Sequence, residues 1–389
     1  MVVKLSSKSS YLLVLNTSGD SLNWALYTAP DLEEIGRGAV ERIGLSNSFT
    51  EGRLLGKLVV AKSKISGHQQ ALAYVLKLIA WHGLPLKQIK KVGHRVAFGS
   101  TDFDKPVKLN LKNLSVLTKN TVGALSHRTV EIITIQAGLK FLNKADHWAV
   151  FDTTWYCDLP DYSKYYALPI DIQKKKKLQR FGLHGISHQY VAEKTANNLN
   201  KDLTKLNLIT CYLGGRSSIT ALRYGRVIDT SAGFTPLEGL MGATQSGDLD
   251  PGLVLHLIDK LKMKPVAVRA LLNDSAGWLG VAGVKDMREL MVRAGYEILG
   301  YKTQGKISAE AKEGARLALK MYIYRVQKYI GAYAAILGRV DAIVFTGNIG
   351  ERNETIRTLI IRGLPKLKDI PELIIPTNEE LAIARQIVR

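Results

Sequence analysis

The sequence predicts an α/β protein made of two similar halves, and three observations indicate it. The pattern of apolar strand, small-residue turn and second strand in YLLVLNTSGDSLNWALY (11–27) recurs in LITCYLGGRSSITALR (208–223). Strand patterns alternate with helical patterns along the chain, as is typical of α/β architecture. With 389 residues, the chain is too long for one compact core, so two domains of roughly 150 to 200 residues each are expected.

Both hairpin turns are rich in glycine and serine. Their backbone N–H groups and hydroxyls could converge on an anion such as a phosphoryl group. One such turn is commonly no more than a hairpin, whereas two at corresponding places in two halves are stronger evidence. Other strands end in polar residues: Asp152 directly follows the apolar run AVF, and KKVGHRVAFGS places His94 and Arg95 at a strand end. Ligands of α/β folds collect at such ends.

The remaining pattern is mostly helical. Apolar residues recur at spacings of three and four in HQQALAYVLKLIAWHG, HQYVAEKTANNLN and EGARLALKMYIYRVQKYIGAYAAIL. AIVFTGNIGERNETIRTLI predicts a strand, a glycine turn at 347–350 and a helix that starts near Asn353, with its positive end available to a ligand. The stretch DTSAGFTPLEGLMGATQSGDLDP (229–251) contains no lysine or arginine and predicts a helix start at 235–238 and another helix near Pro251.

Composition and charge exclude several classes. The formal net charge of +20 would attract phosphates, nucleotides or nucleic acid. The basic run at 174–177 lacks interleaved aromatic residues, so it is interpreted as a solvated loop, and no specific nucleic-acid partner is expected. No apolar run is long enough to span a membrane, and the first residues lack a secretory signal, so a cytoplasmic protein without a membrane partner is expected. Cys157 and Cys211 are interpreted as buried thiols.

The segment FGLHGISHQ places His184 and His188 four residues apart. On a helix this spacing could bind zinc, but Gly182 and Gly185 argue against a helix there. We interpret His184 as a loop residue that enters a cleft, and His188 as lying near the start of the next helix. A histidine that donates a hydrogen bond to a charged group is the simpler role.

Eight ordered motifs together resemble the acetate kinase family, a branch of the sugar kinase, Hsp70 and actin superfamily. They are VLNTSGDSLNW, GHRVAFG, VFDTTW, RFGLHGISH, CYLGGRSS, the 229–251 stretch, FTGNIGER and IPTNEELAIAR. The resemblance implies two duplicated actin-like (ribonuclease H-like) domains with a central cleft. Residues 1–150 plus 382–389 would form the N-terminal domain, and residues 151–381 the nucleotide-binding C-terminal domain. It also implies transfer of a phosphoryl group between ATP and a short-chain carboxylate, giving ADP and an acyl phosphate, by a homodimer.

The same resemblance implies the site residues. Asp152 would orient or activate the attacking carboxylate, Arg95 would hold carboxylate or phosphoryl oxygens, and His184 would stabilise the transferring group. His127 and Gln245 occupy further catalytic positions, and Asn16 with Glu379 would help to hold Mg²⁺. The acyl pocket would be lined by Arg95, Ala97, Ser126, Leu183 and Pro236. The nucleotide would be bound by Asn23, Tyr212, Leu213, Gly214, Gly215, Arg216, Asp286, Met287, Arg288, Gly347, Asn348, Ile349, Gly350 and Glu351.

This chain departs from the family pattern at its phosphate-binding motifs. Gln245 stands where the family has an arginine expected to stabilise the transition state, and losing such an arginine can cost on the order of a thousandfold in rate. Gly19, Asn23 and Tyr212 replace the usual serine, lysine and histidine, while Arg128, Arg216 and Arg352 are additional cations. Either the charge has been relocated, with Arg216 as the first hypothesis, or the chain is a ligand-binding homologue with little turnover.

Two further departures concern specificity. Asn348 fills a position where the family prefers glycine, which could narrow the adenine pocket and favour pyrophosphate as the phosphoryl donor. Ala97, Ser126 and Leu183 are smaller than the residues usual in acetate-specific members, so the pocket could admit one or two more carbons. Such a preference would be graded, because one methylene is worth only about 1–3 kcal/mol of discrimination.

Overall fold

The computed structural model describes residues 10–119, 127–303 and 306–388. By its internal contacts the chain divides into two compact units. Unit 1 comprises Met1–Cys157, Gly185–Ser187 and Asn378–Arg389, and unit 2 comprises Asp158–His184 and His188–Thr377.

Unit 1 is built on an eight-stranded sheet in the order β5-β4-β3-β2-β1-β6-β8-β7. Its strands are β1 (Ser10–Thr17), β2 (Leu22–Ala29), β3 (Glu34–Glu41), β4 (Phe49–Leu54), β5 (Lys57–Lys62), β6 (Ile89–Val96), β7 (Val107–Lys108) and β8 (Asp146–Phe151). Strands β1 to β5 form an antiparallel meander, whereas β1, β6 and β8 run parallel to one another. The parallel strands therefore end at the same edge of the sheet.

Unit 2 contains a five-stranded sheet in the order β11-β10-β9-β12-β13. Its strands are β9 (Leu208–Tyr212), β10 (Ser218–Arg223), β11 (Arg226–Thr230), β12 (Ala342–Thr346) and β13 (Glu372–Ile374). As in unit 1, an antiparallel meander comes first, and its first strand pairs in parallel on its other side. Both predicted hairpins are present, and the predicted mixed α/β fold with a repeated design is confirmed.

The α-helices, in chain order, are α1 (His68–Trp81), α2 (Leu111–Lys119), α3 (His127–Phe141), α4 (Asp161–Lys164), α5 (Ile170–Lys176), α6 (Gly185–Asn198), α7 (Pro251–Asp259), α8 (Pro265–Ala270), α9 (Gly277–Ala282), α10 (Met287–Ala294), α11 (Ala309–Leu337), α12 (Gly347–Arg352), α13 (Glu354–Arg362) and α14 (Glu379–Val388). Short 3₁₀ segments lie at Leu86–Gln88, Asp152–Tyr156, Leu203–Lys205 and Pro365–Leu367, and a π-helical turn at Leu271–Ser275. In the part of the chain that the structure describes, no helix combines the length and apolar character needed to cross a bilayer.

The C-terminal helix α14 completes the core of unit 1. Residues 11–15 of β1 are all buried, which is typical of a strand covered on both faces. Helix α14 packs against β1, β2 and β6. Gly93 on β6 permits this approach, since a Cβ there would lie only 2.8 Å from Ile383 Cγ2. The packing brings the first residue of α14, Glu379, to the edge where β1, β6 and β8 end.

Most of the predicted helices are confirmed, and two predictions are wrong. Residues 235–238 form turns instead of starting a helix. Glu238 is bound there by Arg180 Nη2 at 2.8 Å and Tyr166 Oη at 2.5 Å, and these distant partners outweigh the local helix-start signal. The glycine turn at 347–350 is instead the first turn of α12, which follows β12 at once. The basic run is exposed, as predicted, but its first three lysines belong to α5.

Candidate functional site

A buried charged cluster of unit 1 forms where the parallel strands end. Arg95, on β6, donates from Nη2 to Asp152 Oδ2 at 2.6 Å and from Nε to the same oxygen at 3.2 Å. The Asp152 side chain is fully buried, and the Arg95 side chain is 15% exposed. A two-nitrogen contact to a buried carboxylate fixes the guanidinium plane, so Arg95 presents a cation of defined orientation.

A second carboxylate reaches the same guanidinium from α14. Arg95 Nη1 lies 3.2 Å from Glu379 Oε2 and donates to Asn16 Oδ1 at 3.1 Å. Asn16 in turn donates from Nδ2 to Glu379 Oε2 at 2.7 Å, and Ser187 Oγ donates to Glu379 Oε1 at 2.5 Å. The structure therefore brings together four predicted residues, Asn16, Arg95, Asp152 and Glu379, although they are far apart in the sequence.

Burial and mutual repulsion affect the carboxyl groups of this cluster. Burial raises the pKa of Asp152, and Glu379 adds to the shift while Arg95 opposes it. The hydrogen bonds that Arg95 donates fit the ionised form of Asp152. Burial also raises the pKa of Glu380, again with a contribution from Glu379. The carboxyl groups of Asp152, Glu379 and Glu380 therefore lie close together, and the neighbouring protein groups offset only part of their negative charge.

Glu380 and Ser187 belong to this cluster but were not predicted. Glu380 Oε1 accepts from Asn16 Nδ2 at 3.0 Å, and Arg37 Nη2 lies 3.7 Å from Glu380 Oε2. Glu380 directly follows Glu379 in the motif IPTNEELAIAR, and the pair of adjacent acids is the only sequence signal that could have indicated it. Ser187 has no such signal beyond its place next to His188.

In unit 2, backbone hydrogen bonds join two predicted nucleotide-binding motifs. Leu213 N donates to Thr346 O at 2.9 Å, and Leu213 O accepts from Ile349 N at 2.9 Å and Gly350 N at 3.2 Å. Gly347 has a φ of 76°, and a Cβ there would lie 2.7 Å from Leu213 O. A glycine is therefore required at 347. The turn at 213–217 and the start of α12 form one continuous backbone surface.

His184 is held beside this surface in a strained conformation. Its φ is 55°, which is uncommon for a residue with a side chain. Its ring stacks on Tyr212 with centroids 3.8 Å apart, and its Nδ1 lies 2.9 Å from Ser218 Oγ. The expected loop position is thus borne out, although the helix α6 begins one residue later, at Gly185, and includes His188.

The two histidines are linked through one serine. His188 Nε2 lies 2.8 Å from Ser218 Oγ, and His188 Nδ1 lies 2.7 Å from Thr210 Oγ1. Burial lowers the pKa of His188 to about 3, so this imidazole is neutral. Among the described residues no group of three or more His, Cys, Asp or Glu side chains is placed to hold a metal. Ser218, which was not predicted, orients both rings.

Gln245 lies against Arg216. With the amide oriented to satisfy both groups, Gln245 Oε1 accepts from Arg216 Nε and from Arg216 Nη2, the latter at 2.9 Å. Gln245 is 3% exposed and Arg216 is half-buried. Two positions at which the sequence departs from the family pattern are therefore in direct contact.

The other predicted nucleotide-binding residues fall into three places. Asp286 caps α10 and binds Arg288, whose Nη2 lies 2.5 Å from Asp286 Oδ2. Glu351 Oε1 accepts from Gly347 N at 2.9 Å and Thr377 N at 3.0 Å, so this oxygen supports the backbone of unit 2. Buried Met287 follows Asp286, and Asn348 is exposed on α12. Asn23 lies in unit 1, on β2 opposite Asn16.

The predicted acyl-pocket residues are distributed over both units. Ala97 is half-buried in unit 1, while buried Leu183 and half-buried Pro236 belong to unit 2. Ser126 lies outside the described residues, as do the side chains of His127 and Arg128. Both cysteines are thiols, as predicted. Cys211 is buried, but the prediction is wrong for Cys157, which is only half-buried and donates from Sγ to Thr153 O at 3.6 Å. His94 is not at the site: it is buried against His147, with ring nitrogens 3.0 Å apart.

Comparison with known proteins identifies the family of this chain. Residues 11–368 match the model of the acetokinase family. The chain is 37% identical to an acetate kinase of Heliobacterium modesticaldum, over 97% of this chain and 98% of that protein. A propionate kinase structure from Francisella tularensis has a TM-score of 0.86 at 30% identity, and an acetate kinase structure from Porphyromonas gingivalis a TM-score of 0.81 at 31% identity; both matches cover 97% of this chain and 98% of theirs. The predicted resemblance is confirmed, and this chain belongs to the acetokinase family of kinases.

Proposed function

We propose that this chain transfers a phosphoryl group between ATP and a short-chain carboxylate, acetate, propionate or a slightly larger acid, to give ADP and an acyl phosphate. The observation that carries the proposal is the buried cluster of Asn16, Arg95, Asp152 and Glu379 in unit 1. It combines an oriented guanidinium with hard oxygen donors, the groups that phosphoryl transfer needs. Following the family resemblance, we further propose a cytoplasmic homodimer.

The proposed reaction needs no general base. A carboxylic acid ionises at about pH 4 to 5, like a glutamate side chain, so the acceptor is already an anion at neutral pH. One of its oxygens forms a bond to the γ-phosphorus while the bond from that phosphorus to the β,γ-bridging oxygen breaks, and no proton has to move. We therefore assign Asp152 to orienting Arg95, whose cation would hold the acceptor or the phosphoryl oxygens.

Mg²⁺ fits the same cluster. Its residues offer carboxylate and amide oxygens, and burial, with a further contribution from Glu379, raises the pKa values of Asp152 and Glu380. Mg²⁺ is commonly held by one or two carboxylates together with water and substrate phosphates, without a complete protein cage. When bound, it would neutralise charge on the donor phosphates. Asn16 and Glu379 are the residues that would hold it.

His184 would donate a hydrogen bond to the transferring group. His188 is neutral, so only one of its ring nitrogens carries a proton. The Thr210 hydroxyl has two possible acceptors, His188 Nδ1 at 2.7 Å and Thr220 O at 3.4 Å, and we assign its proton to the shorter contact. His188 Nε2 then donates to Ser218, and Ser218 Oγ donates to His184 Nδ1. This order leaves the proton of His184 on Nε2, as a donor that Tyr212 holds by stacking.

Pyrophosphate is the alternative phosphoryl donor. Asn348 has an exposed side chain on α12, directly after the close approach of Gly347 to Leu213. A side chain at this point would hinder a nucleoside more than it would hinder a compact inorganic donor. ATP remains the donor that we propose, because the family resemblance assigns Asp286 and Arg288 to the adenosine, and the ion pair that they form leaves both side chains partly exposed.

The test is formation of acyl phosphate, trapped as its hydroxamate. Purified protein would be incubated with Mg²⁺, a series of carboxylates from acetate to hexanoate, and either ATP or pyrophosphate. Product with ATP supports the proposal, and product with pyrophosphate alone would replace the donor. Asp152→Asn should lower the rate by at least about a hundredfold, because it releases Arg95. Asp161→Asn, on short helix α4, is the charge-matched control. Absence of product with either donor would favour a ligand-binding homologue.

A further inference from the structure

Arg216 is a half-buried cation with no ion pair among the described residues. It lies in the turn between β9 and β10, between Gly215 and Ser217. Its guanidinium donates to the neutral Gln245 amide oxygen, and Asp274 acts on it only at longer range. Burial lowers the pKa of Arg216, but a guanidinium stays charged in proteins. A partly desolvated cation without a counter-charge is costly, so the turn is suited to an incoming anion.

Gln245 is fixed firmly enough to orient this cation. Its carbonyl accepts from Gly242 N at 3.0 Å, and the next residue, Ser246, donates from N to Leu272 O at 3.0 Å. Ala243 N donates to Gly215 O at 2.7 Å, which ties the loop around Gln245 to the turn that carries Arg216. The position of the guanidinium relative to the turn is therefore set by backbone contacts on both sides.

The turn has room for an anion beside Arg216. A Cβ added at Gly215 would meet no atom within 4 Å, and one added at Gly214 would meet only Arg216 O at 3.2 Å and the Tyr212 ring at 3.5 Å. Tyr212 also carries the stacked His184 ring. The cation and the open glycine backbone thus lie in the same turn of unit 2, and Tyr212, just before that turn, carries the imidazole.

We propose that Arg216 binds the phosphoryl group that is transferred, and that Gln245 is a positioning residue that holds its guanidinium. This inference rests on the proposed function. The family resemblance implies an arginine at position 245. In this chain, Arg216 would supply the guanidinium from the neighbouring turn, where it contacts the side chain of Gln245. In this arrangement the positive charge is relocated from position 245 to position 216, and Gln245 accepts the hydrogen bonds that orient the guanidinium of Arg216.

The experiment compares Arg216→Gln with Arg226→Gln, an equal change of charge at an exposed position of β11. Binding of Mg²⁺–pyrophosphate and Mg²⁺–ATP is measured by calorimetry, and kcat and KM by the hydroxamate assay. We expect Arg216→Gln to weaken pyrophosphate binding at least tenfold and to lower kcat on the order of a thousandfold, with Arg226→Gln unchanged. Arg216→Gln that stays folded and matches Arg226→Gln in binding and kcat would overturn the proposal.

Two double variants test the relation between the residues. Gln245→Met keeps the size of the side chain but removes the hydrogen-bond acceptor, so kcat should fall about tenfold with little change in KM. Adding Gln245→Met to Arg216→Gln should lower kcat no further. Additive effects would overturn the positioning role. Arg216→Gln with Gln245→Arg should recover at least tenfold of the lost kcat. If the unaltered protein makes no acyl phosphate, the proposed function fails, and the calorimetric comparison alone decides on Arg216.

Discussion

Replacing Gly185 by alanine should displace the backbone of Asp152. A Cβ at 185 would lie 1.9 Å from Asp152 O and 2.8 Å from Trp155 Cβ. Such contacts are essentially never shorter than 3.0 Å, so the carbonyl and the start of α6 must separate by the difference, about 1.1 Å. A misplacement of about 1 Å can cost about a hundredfold in rate. Overpacking of this kind costs about 1–3 kcal/mol of stability.

We therefore expect Gly185→Ala to lower kcat for acyl phosphate formation at least about a hundredfold and to lower Tm by roughly 5 °C. Gly67→Ala is the matched control, because Gly67 caps the start of α1 and a Cβ there would meet no atom within 4 Å. The assays are hydroxamate trapping and thermal unfolding followed by circular dichroism. If Gly185→Ala keeps its kcat within threefold of Gly67→Ala, Asp152 does not require this backbone position and the reasoning is refuted.

Three further variants test other parts of the site. In the folded protein, burial lowers the pKa of His188 from the ordinary 6.5 to about 3. The unfolded state therefore binds more protons, and the free energy of unfolding falls as the pH drops below about 6.5, by about 2 kcal/mol between pH 7 and pH 5. Urea unfolding of His188→Asn should show a correspondingly smaller fall. Arg95→Lys cannot keep the two contacts to Asp152 and the one to Asn16, so kcat should fall at least about a hundredfold; equal kcat would contradict the assigned role. Gly347→Ala forces a side chain into a φ of 76° against Leu213 O, so urea unfolding should show a free energy of unfolding that is lower by about 1–2 kcal/mol. Gly283→Ala is also at positive φ, but its Cβ would lie in open space, so it should lower the free energy of unfolding by less.

Local chemistry explains why much of the fold could be predicted. The hairpins were recognisable because small-residue turns separate apolar runs, and α11 because its apolar spacing persists over 29 residues. The predicted helix start at 235–238 was wrong because Glu238 pairs with Arg180, which lies 58 positions earlier in the sequence. Gly347 was interpreted as a turn residue because sequence alone does not distinguish a turn from a helix that starts on a glycine of positive φ.

The candidate site was predictable only where a motif contains the functional residue itself. Asn16, Arg95, Asp152 and Glu379 each lie in such a motif, and the structure brings them together. Ser218 was missed because its role depends on a contact with a residue 34 positions away, His184. Supporting residues of this kind have no sequence pattern of their own, since any hydroxyl at the right point in space would serve.

The same limit applies to the departures at Gln245 and Arg216. Considered singly, a missing arginine at 245 predicts weak catalysis, and an extra arginine in a glycine-rich turn predicts nothing in particular. Sequence alone provides no distance between them. The amide of Gln245 accepts from the guanidinium of Arg216, so the arginine missing at 245 and the arginine gained at 216 concern the same point of unit 2. A chain losing its activity would have no physical need to keep a costly, unpaired cation there, and this favours a relocated charge over a decayed site.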